Sequence, residues 1–292
     1  MAQDPRALLQ KADKAIQSAS GGFGFFGGRE DKYQNAADLY MQAANAFKMA
    51  QQNREAGQAF EKAAQIQTSK LNEADDAANT LVDAFKVYKK EYPEDAIRCV
   101  EIAITQYCKK GNFRRAASHK ESLGEVFETQ INDMKRAIEN YETAAGWYEA
   151  DNAPALANKL FLKVADIAAL EADYYKAIEQ YEKVAQQSIN NNLMKYSVKD
   201  YFLKAGVCHM ATKDLVATQR ALEKYRELDP TFASQREHQL LVDLSQALEA
   251  GDQEMFTDKL FAYDQMSRLD KWKTAILLRV KNQIEEADNE FS

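Results

Sequence analysis

A spacing of about 40 residues recurs along the chain, and it limits the possible folds more than any single motif does. In residues 135–189, Ala137, Tyr141, Ala144, Ala145 and Tyr148 fall at helical spacing and form one apolar stripe. Asp151, Asn152 and Pro154 break the pattern, and Pro154 suits the first turn of a new helix. Ala157, Leu160, Phe161, Val164 and Ala165 make the second stripe, and at Tyr174 the first pattern begins again. Ala56 to Phe60, Ala96 to Val100, Ala137 to Tyr141 and Ala177 to Tyr181 are equivalent starts, 40, 41 and 40 residues apart. A second series lies halfway between: Ala36 to Tyr40, Ala77 to Leu81, Ala116 to Lys120 and Ala157 to Phe161. Each helix with its turn therefore takes about 20 residues. A single helix cannot bury such a stripe, so the units must stack on one another. The tetratricopeptide period is roughly 34 residues, which makes this a longer-helix relative of that architecture.

Composition agrees with such a stack. Hydrophobic residues make up 46% and charged residues 28% of 292, and 11 Gly and 4 Pro leave little material for long loops. Ala and Leu dominate the apolar set, which favours helix nearly throughout. A net charge of −7 argues against nucleic acid as the partner of the global field. Cys99, Cys108 and Cys208 lack disulfide or zinc spacing and lie on helical patterns, as reduced core cysteines of a cytosolic protein would. No signal-peptide pattern and no apolar run near 18 residues is present, so no membrane span is expected.

One stretch departs from the pattern. Residues 3–18 read as an amphipathic helix, and SASGGFGFFGG follows over 18–28, with Phe23, Phe25 and Phe26 among glycines. Glycine on both sides argues against helix or strand. Two uses are open to these phenylalanines: tucking back on the first helices, or forming an exposed apolar tip that touches a membrane surface. Each contributes roughly 1.5–3 kcal/mol on full burial, so three give a weak, reversible attachment. Asn190, Asn191 and Asn192 then mark a break. Helices are predicted over 193–211, 213–230, 232–249, 252–267 and 270–287, the last ahead of an acidic, frayed tail that ends with Phe291 next to the terminus. The segment reads as the atypical last repeats that cap a solenoid. The predicted fold is thus all-α: a tetratricopeptide-like α-solenoid of antiparallel helix pairs with a C-terminal helical bundle cap. Residues 1–190 would form a twisted sheet of helical hairpins, and 191–292 the bundle.

Nothing in the chain points to catalysis, a metal or a cofactor. His119, His209 and His238 are far apart without ligand spacing, and the glycine-rich stretch lacks the lysine and strand–helix context of a phosphate loop. Charge placement carries more information. Lys159 and Lys163 are i, i+4 on one helix, and Lys199 follows Lys159 by one 40-residue period, so they occupy equivalent positions in successive repeats. Arg114, Arg115 and Lys120 extend the basic charge into the preceding repeat. Alternate helices carry acid at a fixed place, Glu61, Glu101, Glu142 and Glu182, so one face should be more basic and the other acidic. Such a pattern serves either as a solvated surface or as a basic face gripping an acidic, elongated partner.

The period, the FGFFGG loop, KDYFLKAG at 199–206, RLDKW at 268–272 and the acidic tail together resemble the alpha-SNAP family, the soluble NSF attachment proteins. The likeness covers residues 5 to 292. It implies a non-enzymatic, cytoplasmic adaptor, peripherally associated with membranes, that wraps a SNARE four-helix bundle. The adaptor then recruits and stimulates the hexameric AAA ATPase NSF, which takes the bundle apart in vesicle fusion. By that resemblance Lys159, Lys163 and Lys199 face the SNAREs, Phe23, Phe25 and Phe26 form the membrane-attachment loop, and Asp214, Glu249, Asp252 and Phe291 meet the ATPase. Gln253 stands where the family often has another acid, and Phe291 where it usually has leucine. The competing reading is a tetratricopeptide-type peptide clamp, a co-chaperone scaffold. It requires one tight basic pocket in place of a long row and leaves the FGFFGG loop without a task.

Overall fold

Among the described residues, eight of the helices end in a tight reversal. Gln51, Asn72, Asn132, Asn152, Ala172 and Lys213, with Gly111 and Gly251, take left-handed backbone at these turns. One such residue closes the helix, and the next or next-but-one starts the following helix in the opposite direction. Entry points are equally well marked. Asp133, Asp173, Asp214 and Asp252 cap helix N-termini, each accepting the backbone N–H three residues on, at 2.8 to 3.2 Å. Pro93 and Pro154 open their helices.

A computed structural model of the chain describes the backbone of residues 4–20 and 28–290, and side chains as far as residue 284. The described residues contain fourteen α-helices. In order they are α1 (Pro5–Ser20), α2 (Gly28–Met49), α3 (Asn53–Ser69), α4 (Ala74–Tyr88), α5 (Pro93–Lys109), α6 (Phe113–Val126) and α7 (Met134–Ala150). Then come α8 (Pro154–Leu170), α9 (Tyr174–Ile189), α10 (Val198–Ala211), α11 (Leu215–Leu228), α12 (Arg236–Ala250), α13 (Gln253–Met266) and α14 (Lys271–Glu290). The fold is the all-α array of helix pairs that the period predicts. Phe23, Phe25 and Phe26 lie outside the described residues. The last helix runs to Glu290, beyond the expected end near residue 287.

The chain divides into two compact units, Met1–Pro154 and Ala155–Ser292. In the first, each of α1 to α6 packs on the next. The division falls one helix pair before the break read at 190–191. Asn190–Asn192 is a turn inside the second unit, because α9 packs on α10 just as earlier helices pack on their successors.

Both predicted stripes are buried: Ala137, Ala144, Ala145 and Ala165 have no exposed surface, and Tyr141 and Leu160 retain 2%. Small residues also make room for tyrosine. A Cβ at Gly57 would lie 2.1 Å from the Tyr88 ring, and one at Gly124 would lie 2.7 Å from Tyr141. These buried rings keep their hydroxyls paired, as burial demands. Tyr88 donates to Glu61 at 2.9 Å, Tyr107 to Asn79 at 2.9 Å, Tyr141 to Glu128 at 2.7 Å and Tyr225 to Glu182 at 2.7 Å. Tyr40 and Tyr181 donate to Asp13 and Asp166. Burial, then the neighbouring carboxylate, pushes the Tyr88 and Tyr141 hydroxyls well above their ordinary range, so they remain donors.

The cap is built around α10. It is apolar on nearly every side, with Val198, Phe202, Leu203, Val207, Cys208 and Met210 buried. Helices α9, α11, α12 and α14 all pack against it. Phe202 stacks on Tyr225 at 4.5 Å between ring centres and meets Phe232 edge-on at 5.2 Å.

Candidate functional site: a basic face and an acidic end

Lys159 is exposed and Lys163 half-buried on α8, one turn apart on the same face. Lys199 sits in the first turn of α10, half-buried, with its ammonium 3.0 Å from Glu237 Oε1. The Glu237 side chain keeps only 10% of its surface, and Oε2 has no protein partner. Lys199 therefore presents a positive charge already matched within the fold. Its side chain borders a cleft of about 480 Å³, which Lys195, Tyr196 and Thr231 also line. Sequence reasoning puts Lys195 and Tyr196 on the helix expected over 193–211 and gives them no role; in the structure they lie in a turn ahead of α10. The signal that could have found them is the i, i+4 step from Lys195 to Lys199.

In the first unit, the three candidate cations on α6 each have a partner. Arg114 lies 3.5 Å from Asp151. Arg115 sits over the Tyr107 ring at 4.5 Å, and Lys120 donates to Asn140 Oδ1 at 3.0 Å. Tyr107 in turn stacks on His119, 5.5 Å away. Burial, with the charges of Arg115 and Lys86, holds His119 down at about 4. The other two histidines are packing residues as well. His238 meets Phe232 edge-on at 5.3 Å, and His209 lies 3.4 Å from Glu182.

The expected acidic face is corrected in part. Glu61 accepts from Tyr88 and pairs with Arg98, while Glu182 accepts from Lys224, Tyr225 and His209. Both are internal acceptors for buried tyrosines of later helices, so periodic acid here reflects helix-to-helix pairing rather than a solvated stripe. Burial alone raises the Glu182 carboxyl. The hydrogen bonds from His209, Lys224 and Tyr225, with the Lys224 charge, outweigh it and hold the group near about 2, down from 4.5. Stability from this group is fully present above about 4.5 and is lost as pH falls through about 2. The shift corresponds to about 3 kcal/mol. Glu182→Gln should therefore lower the urea midpoint at neutral pH, with the gap to wild type closing between about pH 5 and pH 2.

The acids assigned to the ATPase come together. Asp214 caps α11 and Asp252 caps α13, so each exposed carboxylate has a structural task as well. Gln219 of α11 reaches Glu249 of α12 at 3.5 Å, which brings the start of α11 to the end of α12. Gln283 of α14 donates to the Ala211 carbonyl at 3.1 Å, three residues before Asp214. Asp214, Glu249, Asp252 and the last turns of α14 thus gather at one end of the second unit. Phe291 lies outside the described residues.

The profile for "Soluble NSF attachment protein, SNAP" matches residues 3–285. The chain belongs to the soluble NSF attachment protein family. A "Probable vesicular-fusion protein sec17 homolog" of Neurospora crassa is 62% identical over 292 residues, covering 100% of both chains. The protein of that description in Schizosaccharomyces pombe is 51% identical, again over 100% of both. Human "Alpha-soluble NSF attachment protein" is 41% identical over 280 residues, 96% of this chain and 94% of that one. The SNAP-family match therefore takes in both the basic face of α8 and the acidic end of the second unit. Among the described residues no helix is long and apolar enough to cross a membrane. None of their His, Cys, Asp and Glu side chains form a group of three placed to hold a metal ion.

Proposed function

We propose that this chain is a non-enzymatic adaptor that binds assembled SNARE bundles and recruits and stimulates an NSF-type hexameric AAA ATPase, which disassembles them. The observation that carries the reading is the gathering of Asp214, Glu249 and Asp252 with the last turns of α14, in the unit that also bears Lys159, Lys163 and Lys199. An acidic end suits a basic patch on a motor, and a basic face suits acidic helices. The relatives' descriptions, vesicular fusion and NSF attachment, support the same role. Arg114, Arg115 and Lys120 would add to SNARE contact, and Phe291 to contact with the ATPase. Phe23, Phe25 and Phe26 would hold the adaptor peripherally at the cytoplasmic membrane surface.

The test is reconstitution from purified chain, ATPase and SNARE complex. Added chain should start disassembly of soluble complexes, and no disassembly with all three present would defeat the reading. Serine at Phe23, Phe25 and Phe26 should reduce co-flotation with liposomes and slow disassembly of membrane-anchored complexes severalfold, because a surface anchor raises local concentration. Soluble complexes should come apart at the wild-type rate. If the triple variant instead melts several degrees lower, the phenylalanines belong to the core.

A further inference from the structure

Helix α14 is fastened to α8 in an unusual way. The Trp272 indole N–H donates to the Asp166 carbonyl at 3.0 Å. Seven residues on, Arg279 donates to the Ala169 carbonyl at 3.1 Å and the Leu170 carbonyl at 2.8 Å. The Ala169 and Leu170 carbonyls belong to the last turn of α8, beyond the reach of the helix's own N–H groups; Ala169 also accepts from the Ala172 N–H at 3.1 Å, and the Asp166 carbonyl lies just before that turn. A guanidinium suits them twice over, because it offers several donors and its charge complements the negative end of the helix dipole. The donors come from more than 100 residues along the chain.

Packing makes the joint stiff. Trp272 is 9% exposed and meets Tyr181 edge-on at 5.8 Å. Lys204 of α10 lies 4.9 Å from the Trp272 ring and 2.8 Å from Asp166 Oδ1, which also accepts from Tyr181. Helix α14 then runs parallel to α10, with Lys273 on Asp200 at 2.7 Å and Gln283 on the Ala211 carbonyl at 3.1 Å. One helix therefore joins the acidic end of this unit to the helix that carries Lys159 and Lys163.

We propose that Trp272 and Arg279 are positioning residues that make α14 a strut, transmitting motion imposed at the acidic end to the basic face of α8. The proposal rests on the adaptor reading above. Neither residue touches a partner in it. Their loss should leave the docking surfaces intact and let α14 slip against α8 under load, so that ATP is hydrolysed without productive work on the SNARE bundle.

The test uses the full chain with soluble SNARE complex and the ATPase. It compares wild type, Arg279→Gln, Arg279→Lys and Trp272→Phe, each checked for wild-type helical signal. Trp272→Phe keeps an aromatic ring at the position facing Tyr181 while removing the N–H and part of the indole, so the test does not depend on tolerance at Arg279. The half-saturating chain concentration should stay within about twofold of wild type, while the maximal disassembly rate falls on the order of fivefold. ATP consumed per complex disassembled should rise by a similar factor, and Arg279→Lys, which retains the charge and donors, should recover part of the loss. Unchanged ATP yield in the Arg279→Gln and Trp272→Phe variants would overturn the strut, including the case where hydrolysis and disassembly fall together. A wild-type chain that supports no disassembly would instead overturn the adaptor reading, and the strut with it.

Discussion

Reversing Lys159 and Lys163 to glutamate is expected to weaken binding of an assembled SNARE bundle by at least about tenfold, since like charges facing across an interface cost several kcal/mol. The two side chains project one turn apart from the face of α8 opposite its buried stripe. An acidic helix lying along that face meets both at once, and reversal turns two attractions into two repulsions. Because the charges are at the surface, wild-type binding should also decline as salt rises, with screening acting over about 10 Å at 0.1 M. The reversed variant should lose most of this salt slope. Circular dichroism should be unchanged, because α8 is held by its buried stripe of Ala157, Leu160, Phe161, Val164 and Ala165. A pull-down at two salt concentrations measures all of this. Binding indifferent to both salt and charge reversal would remove the basic face from the function.

Gly57→Ala should lower thermal stability although it improves helix propensity. In the interior of α3 the exchange would ordinarily contribute about 0.5–1 kcal/mol in favour of the folded state. Here the new Cβ would stand 2.1 Å from the Tyr88 ring, a separation that atoms cannot hold. Tyr88 is 1% exposed, lies edge-on to Tyr92 at 6.0 Å and donates to Glu61, which also holds Arg98. The ring has nowhere to move without breaking these links. Overpacking costs about 1–3 kcal/mol and a lost hydrogen bond to a charged group about 1.5–3, so a net loss of about 3 kcal/mol is expected. That corresponds to a melting temperature lower by roughly 6–12 °C. Gly146→Ala on α7 is the control, since nothing lies within 4 Å of its added Cβ. It should melt at or slightly above wild type. A Gly57→Ala variant as stable as Gly146→Ala would refute the close packing of Tyr88 on α3.

The period of the array, the buried stripes and the placement of most helices are legible in the amino-acid sequence. Each depends on neighbours three or four residues apart, or on a turn signal such as Asn152 followed by Pro154. The family is legible too, from the order of several weak motifs along the whole chain. Individual charges are harder to read. Glu61 and Glu182 recur on the period, which suggests a solvated face. They recur because each accepts from a tyrosine 27 or 43 residues later. Lys199 pairs with Glu237, and nothing within one helix foretells that partner.

The sequence alone thus determined that the chain is a stack of antiparallel helix pairs, because the apolar stripes and their turns repeat and no stripe is buried without a neighbour. Only the tertiary structure decided where the terminal helix goes. RLDKW marks the start of α14, yet Trp272 and Arg279 find their acceptors on α8, and Gln283 finds its acceptor on α10. Such pairings follow from which helix ends leave carbonyls unsatisfied and from how three helices lie against one another. Those are properties of packed surfaces in space, and a pattern read along the chain does not contain them.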